Sequence, residues 1–218
     1  DEGLFLAAKG GYNNESHNHN DIGTFSLYAN NTPFFIDAGV GTYTRQTFSS
    51  ERYSIWTMQS GYHNLPKVNG FDQPFGAQYR SADVRFDASK QEFSLDIAGA
   101  YPAEARVKNW KRSYRLDGNT VYINDDYQLD ESIQPNQVHF LTWAQPDVSV
   151  PGEVSLAKDG KQVSLSYAAK TFSATVETVE ITDPRLTNVW GDRIYRLVLK
   201  ENNPSKKGTY RFRISAAQ

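Results

Sequence analysis

The densest run of chemically able side chains lies near the start of the chain, in Gly10-Gly11-Tyr12-Asn13-Asn14-Glu15-Ser16-His17-Asn18-His19-Asn20-Asp21-Ile22-Gly23. Only four histidines occur in 218 residues, and three of them, His17, His19 and His63, stand before residue 65. The run is too polar for a core strand. Taken as extended chain, it projects His17, His19 and Asp21 to one side, because residues two apart share a face. Downstream, the apolar stretch Pro33-Phe34-Phe35-Ile36 ends in Asp37-Ala38-Gly39, where a carboxylate followed by a flexible glycine can turn toward a site. Gly61-Tyr62-His63-Asn64-Leu65 adds an imidazole from a loop. Two imidazoles and one carboxylate suit zinc, and three protein ligands leave a position for water or substrate. The plain alternative is a set of surface or hydrogen-bonded histidines, since a His-x-His pair also arises by chance. His139, in Val138-His139-Phe140-Leu141-Thr142-Trp143, shares a face with Leu141 and Trp143 and reads as a satisfied strand histidine outside the site.

These residues need a frame, and the chain reads as an all-β one. Short alternating stretches separated by turn residues are the signature of antiparallel strands. Predicted strands cover Gly3 to Ala8, Thr24 to Tyr28, Pro33 to Ile36, Val84–Phe86, Glu92–Ile97, Val107–Leu116, Thr120–Asp125 and Val138–Trp143. Further ones cover Gln162–Tyr167, Phe172–Thr178, Ile194–Leu199 and Thr209–Ile214. Asp117-Gly118 and Asp159-Gly160 sit between such runs and mark tight hairpins. No long stripe of helical period occurs; the best helical segment is short, around Ser50–Gln59. This many strands imply two packed sheets. Without a repeat, linker or low-complexity tract, residues 1–218 read as a single β-sandwich domain.

Composition narrows the function classes. The chain is 39% hydrophobic and 22% charged, with a net charge of −2, and it contains no cysteine. Thiolate metal sites, disulfides and cysteine nucleophiles are therefore excluded. The balanced charge argues against a nucleic-acid binder. No apolar run of membrane-spanning length and no hydrophobic leader is present, so the chain reads as soluble, with no membrane partner. It opens at Asp1 and has Met58 as its one methionine, which reads as a piece of a longer protein. The basic stretch Arg106, Lys108, Lys111, Arg112, Arg115 reads as the solvated face of a strand, or as a contact for an acidic polymer. Asn14-Glu15-Ser16 and Asn30-Asn31-Thr32 fit the N-glycosylation pattern, a common chance match.

Three segments in order carry a family resemblance. His17-Asn18-His19-Asn20-Asp21-Ile22-Gly23-Thr24-Phe25, then Asp37-Ala38-Gly39-Val40-Gly41-Thr42-Tyr43, then Tyr62-His63-Asn64-Leu65-Pro66-Lys67-Val68-Asn69-Gly70 resemble the heparinase II/III-like polysaccharide lyases. Trp190-Gly191-Asp192-Arg193-Ile194-Tyr195-Arg196 fits the β-rich part of that family more loosely. The resemblance implies a large antiparallel two-sheet β-sandwich of the supersandwich type, preceded in the family by an α/α toroid that this chain lacks. It implies His19, Asp37 and His63 as Zn²⁺ ligands, and His17 at the catalytic centre beside the metal. Tyr53 falls where some members place a catalytic or substrate-contacting tyrosine, with Tyr43 as a competitor. The family's helical domain supplies further catalytic residues, so the resemblance implies that this piece alone lacks full activity.

The implied reaction is β-elimination in a uronate-containing acidic polysaccharide, a glycosaminoglycan or alginate, in a bacterial periplasmic or secreted setting. Two other readings compete. A cupin shares the glycine–His-x-His start but needs a glutamate where Gly23 and Thr24 stand. A non-catalytic carbohydrate-binding or structural module with a structural zinc would suit a chain that is 13% aromatic, with Trp110, Tyr62 and Tyr101 taken as exposed.

Overall fold

A computed structural model describes residues 3–217. Sixteen strands and one short helix follow one another along them. The strands are β1 (Leu4–Ala8), β2 (Tyr12–Asn13), β3 (Phe25–Ala29), β4 (Thr32–Phe35), β5 (Pro66–Lys67), β6 (Gly76–Arg80), β7 (Ala82–Asp87) and β8 (Glu92–Asp96). They continue as β9 (Val107–Asp117), β10 (Thr120–Leu129), β11 (Gln137–Thr142), β12 (Glu153–Lys158), β13 (Lys161–Ser166), β14 (Phe172–Glu180), β15 (Arg193–Glu201) and β16 (Lys207–Ala216), with helix α1 (Pro184–Trp190) before β15. One seven-stranded sheet runs β1-β3-β4-β11-β15-β14, with β5 added against β11. The second runs β12-β13-β16-β10-β9-β8-β7, and β2 pairs with β6 in a small ribbon. The fold is a two-sheet antiparallel β-sandwich, as the alternation of the sequence predicts.

Period-two burial makes the sandwich. In β10, Val121, Ile123, Asp125, Tyr127 and Leu129 face inward while their neighbours face out. Aromatic rings then bridge the two sheets. Phe140 of β11 meets Phe212 of β16 at 5.4 Å between centroids, and Phe25 of β3 meets Tyr114 of β9 at 5.5 Å. Both predicted hairpins form. Asp159-Gly160 is a two-residue loop with φ of 51° and 73°, the doubly positive combination of a type I′ turn. At the other, Asp117 still pairs with Thr120, so the loop is Gly118-Asn119, with φ of 55° at the first central residue, where glycine is favoured.

Several expectations need correcting. Strand β12 carries only Val154 and Leu156 as buried apolar residues, too short a pattern to stand out. The segment around Ser50–Gln59 is a chain of 3₁₀ turns, because Ile55 and Gln59 are extended and interrupt any continuous helix. Helix α1 has Asp183 as its N-cap and proline in its first turn, but two turns are too few to show a stripe. Trp110 and Tyr101 are buried, not exposed: Trp110 stacks on Tyr127 at 4.9 Å inside the core. The basic run is split by the pleat of β9, which turns Lys111 outward and buries Arg112 completely.

Candidate metal centre and adjoining cleft

Three connecting segments converge at one place. The β2–β3 loop brings His19 and Asp21, the end of β4 brings Asp37, and a 3₁₀ turn over Ser60–Tyr62 ends in His63. One ligand atom from each of these four residues lies within 4.8 Å of all the others. His19 Nδ1 is 3.3 Å from His63 Nε2, which is 3.4 Å from Asp37 Oδ2. Asp21, seen in the sequence only as a face-sharing neighbour, joins the group as a fourth oxygen donor, held by Lys9 Nζ at 2.6 Å.

Two of the donors are aimed by backbone contacts. His63 Nδ1–H donates to the Gln59 carbonyl at 2.9 Å, which leaves Nε2 to face the cluster. Asp37 Oδ1 accepts from Gly39 N–H at 2.7 Å, turning Oδ2 toward His63. Burial alone would raise the Asp37 pKa, but the His63 and His19 rings and the Gly39 N–H outweigh it and hold it well below the usual carboxylate range. Burial works to lower His63, yet Asp37 and Asp21 raise it overall. His19 is lowered by burial, with His63 adding to the effect against the pull of Asp37. The donor set fits a metal ion. A metal ion bound tetrahedrally at about 2.0–2.1 Å would place neighbouring ligand atoms roughly 3.3–3.4 Å apart, the spacing of the His19–His63 and His63–Asp37 pairs.

Asn64, next to His63, locks the three segments together. Its Nδ2 donates to Phe25 O at 2.6 Å and to Ile36 O at 3.2 Å, and its Oδ1 accepts from Leu141 N at 2.7 Å. Strands β4 and β11 share only the Thr142–Phe35 pair, so this amide fills a gap in the sheet beside the site. Below it, Arg112 and Asp125 form a fully buried, two-pronged ion pair at 2.8 and 2.9 Å. The remaining guanidinium nitrogen donates to Asn64 O at 2.8 Å and Gly23 O at 3.3 Å, and Tyr114 Oη also donates to Gly23 O. No motif in the sequence points to this support: Arg112 stands there in a basic run, and its place opposite Asp125 across β9 and β10 emerges only in the structure.

An open cleft of about 370 Å³, lined in part by His17, Asn18, Phe48, Arg52, Tyr53 and Phe75, contains none of the four donors and meets the cluster through Asn18, next in sequence to His19. The β2–β3 loop is not extended at His17, whose φ of 57° is left-handed. The expected common face of His17, His19 and Asp21 is therefore broken: His19 and Asp21 enter the cluster, while exposed His17 lines the cleft. Asn18 and Asn20 fill the interior between them, and Arg52 fixes the turn by donating Nε and Nη2 to Asn18 O. Tyr53 stacks on Phe75 at 4.4 Å, and its Oη accepts from Asn18 Nδ2 at 3.4 Å. Tyr43 lies outside the cleft lining, so of the two candidate tyrosines only Tyr53 shares the cleft with His17. His139 is buried in β11, with Nε2 2.9 Å from Gln137 Oε1, and takes no part in the site.

A two-sheet antiparallel β-sandwich bearing a His–Asp group able to hold a metal ion is the class of protein these features define. The family described as heparinase II/III-like, C-terminal, matches residues 2–209, and the chain belongs to it. Among solved structures, a mutant of the heparan sulfate lyase HepC from Pedobacter heparinus superposes with a TM-score of 0.76 at 16% identity, covering 99% of this chain and 33% of that one. A heparinase III gene product with methylated lysines gives 0.72 at 16%, covering 97% and 32%. A further heparinase III gives 0.64 at 16%, covering 99% and 35%. At this identity the similarity is one of fold, and the chain spans about a third of the length of these structures. No curated protein sequence matches it.

Proposed function

We propose that this chain is the β-sandwich part of a polysaccharide lyase that cleaves uronate-containing acidic polysaccharides by β-elimination, working with an N-terminal α/α toroid in the bacterial periplasm or outside the cell. The observation that carries the reading is the juxtaposition of a four-donor His–Asp cluster with an open cleft lined by His17, Arg52 and Tyr53. In this reading His19, Asp37 and His63 hold Zn²⁺, with Asp21 as a further oxygen donor. When bound, the ion supplies fixed positive charge that pins the converging loops and favours a negatively charged sugar nearby.

The chain's own residues do the rest. Arg52, tied to the Asn18 and Thr47 carbonyls, presents a positioned positive charge to a uronate carboxylate in the cleft. Withdrawal of charge from that carboxylate acidifies the adjacent carbon-bound proton. His17, exposed on its left-handed turn, accepts that proton at an imidazole nitrogen. Tyr53, braced by Phe75, gives its phenolic proton to the departing glycosidic oxygen, and the ring carbons are left with a double bond. The competing reading, a non-catalytic binding or structural module, loses Trp110 and Tyr101 as exposed contacts but keeps Tyr43 and Phe48, and turnover decides between the two.

The test is formation of unsaturated uronate, followed by its ultraviolet absorbance, when the longer protein containing this chain is given heparan sulfate, chondroitin or alginate. His17→Ala is expected to abolish turnover on the active polymer while the zinc content is kept. Loss of zinc together with activity would instead make His17 structural, and absence of turnover on every uronate polymer would sink the reading.

A further inference from the structure

A second group stands beside the cleft and has no role in the scheme above. Tyr43 and Phe48 are stacked, with ring centroids 5.6 Å apart and planes 18° from parallel. Both are open to solvent, at 42% and 75% exposure. The guanidinium of Arg185, on α1, stands over the Tyr43 ring at 5.4 Å from its centroid. Isolated exposed apolar side chains are ordinary on a protein surface. A stacked aromatic pair with a cation on it is a more specific arrangement.

The scaffold under this group is built, not incidental. Asp183 accepts from Thr42 N–H at 2.8 Å and from Thr42 Oγ1 at 3.2 Å, while also capping α1 through Arg185 N–H and Leu186 N–H. Gly41 lies so close that a Cβ there would come 3.0 Å from Asp183 Oδ2. At the other end of α1, Trp190 Nε1 donates to Ala38 O at 3.0 Å. Helix α1 thus grips both ends of the loop that leads from Asp37 to Tyr43. The rings are held in place without being covered.

We propose that Tyr43, Phe48 and Arg185 form a second sugar-binding subsite, next to the cleft, for an acidic sugar of the same polymer. This rests on the cleft being an acidic-polysaccharide site. The carbon-bound hydrogens of a pyranose ring lie against the Tyr43–Phe48 rings, and its carboxylate or sulfate pairs with Arg185. Phe48 also lines the cleft, so the two binding places are continuous. The charge pattern agrees with an anionic chain. Among the described residues, Arg45, Arg52 and Arg185 all lack a carboxylate within ion-pair distance. The acid beside the platform, Asp183, spends both oxygens on the four donors named above, and Glu15 of the cleft faces Lys9 at 3.7 Å.

The test compares binding of a heparan sulfate disaccharide and octasaccharide to the zinc-loaded chain by titration calorimetry. Tyr43→Ala is expected to weaken the octasaccharide about fivefold more than the disaccharide, and Tyr43→Phe to restore it, because the ring and not the hydroxyl makes the contact. Arg185→Gln is expected to cost the octasaccharide about threefold, with a shallower salt dependence. Repeating this with an unsulfated uronate oligosaccharide separates carboxylate from sulfate as the partner of Arg185. An unchanged ratio in Tyr43→Ala overturns the subsite while leaving the cleft reading intact. Failure of the wild-type chain to bind these sugars, or chondroitin and alginate oligosaccharides of the same lengths, in the presence of zinc overturns both.

Discussion

The neutral imidazole of His63 carries its proton on Nδ1, because the Gln59 carbonyl can only accept, and that choice directs Nε2 at His19 and Asp37. Asp21 has a comparable relation to Lys9. The lysine holds its Oδ1 and tempers its charge, so the carboxylate is positioned beside the cluster without being repelled from Asp37. Asp21→Asn is therefore expected to lower zinc affinity roughly tenfold, while His19→Ala removes specific binding altogether. Equilibrium dialysis on the purified chain measures both. Equal affinity in Asp21→Asn and wild type would restrict Asp21 to pairing with Lys9.

At the level of elements, the site rests on the β9–β10 hairpin as much as on its own loops. Arg112 and Asp125 are opposite residues of that hairpin, and their buried pair supplies the donor that holds the Asn64 carbonyl. Removing one partner strands a buried charge. Asp125→Ala is expected to destabilise the chain by about 3–5 kcal/mol in urea unfolding. The double substitution Arg112→Met with Asp125→Leu is expected to recover most of that stability but not the zinc affinity, since Asn64 still lacks its donor. Recovery of both would show that the pair is only a stabiliser. The sandwich itself was legible because strands such as β10 announce their faces by alternation, and Asp-Gly marks the hairpins. Scarce residue types drew attention to three segments, but only the family resemblance singled out His19, Asp37 and His63 from His17 and Asp21 as a ligand set. Other features left little signal. The left-handed turn at His17 depends on Arg52 gripping the Asn18 carbonyl from another loop, and α1 is shorter than two full periods of any apolar stripe. Arg112 reads as one more surface cation until the pleat of β9 is known.

Over the whole molecule, stability is tied to pH through a histidine the site does not use. Burial first, then the Arg196 and Lys67 cations, push the His139 pKa to about 3 from an ordinary 6.5. The folded chain thus keeps this ring neutral where the unfolded chain would protonate it. The contribution is fully present above pH 6.5 and is lost progressively as pH falls toward 3. A loss on the order of 3 kcal/mol is expected from this group between pH 7 and pH 4, and His139→Gln is expected to flatten that part of the profile. Unfolding midpoints measured across the range decide it: an unchanged slope in the variant would assign acid sensitivity elsewhere. The course of the chain also governs when the candidate metal centre can come into being. Its donors hang from loops whose anchor, Asn64, reaches β3, the end of β4 and β11, with Arg112 of β9 beneath. Those partners come from distant parts of the chain, and both sheets must have docked before all are in place. The centre is thus a late product of folding, and a cation seated there acts as a brake on unfolding rather than as a seed for folding.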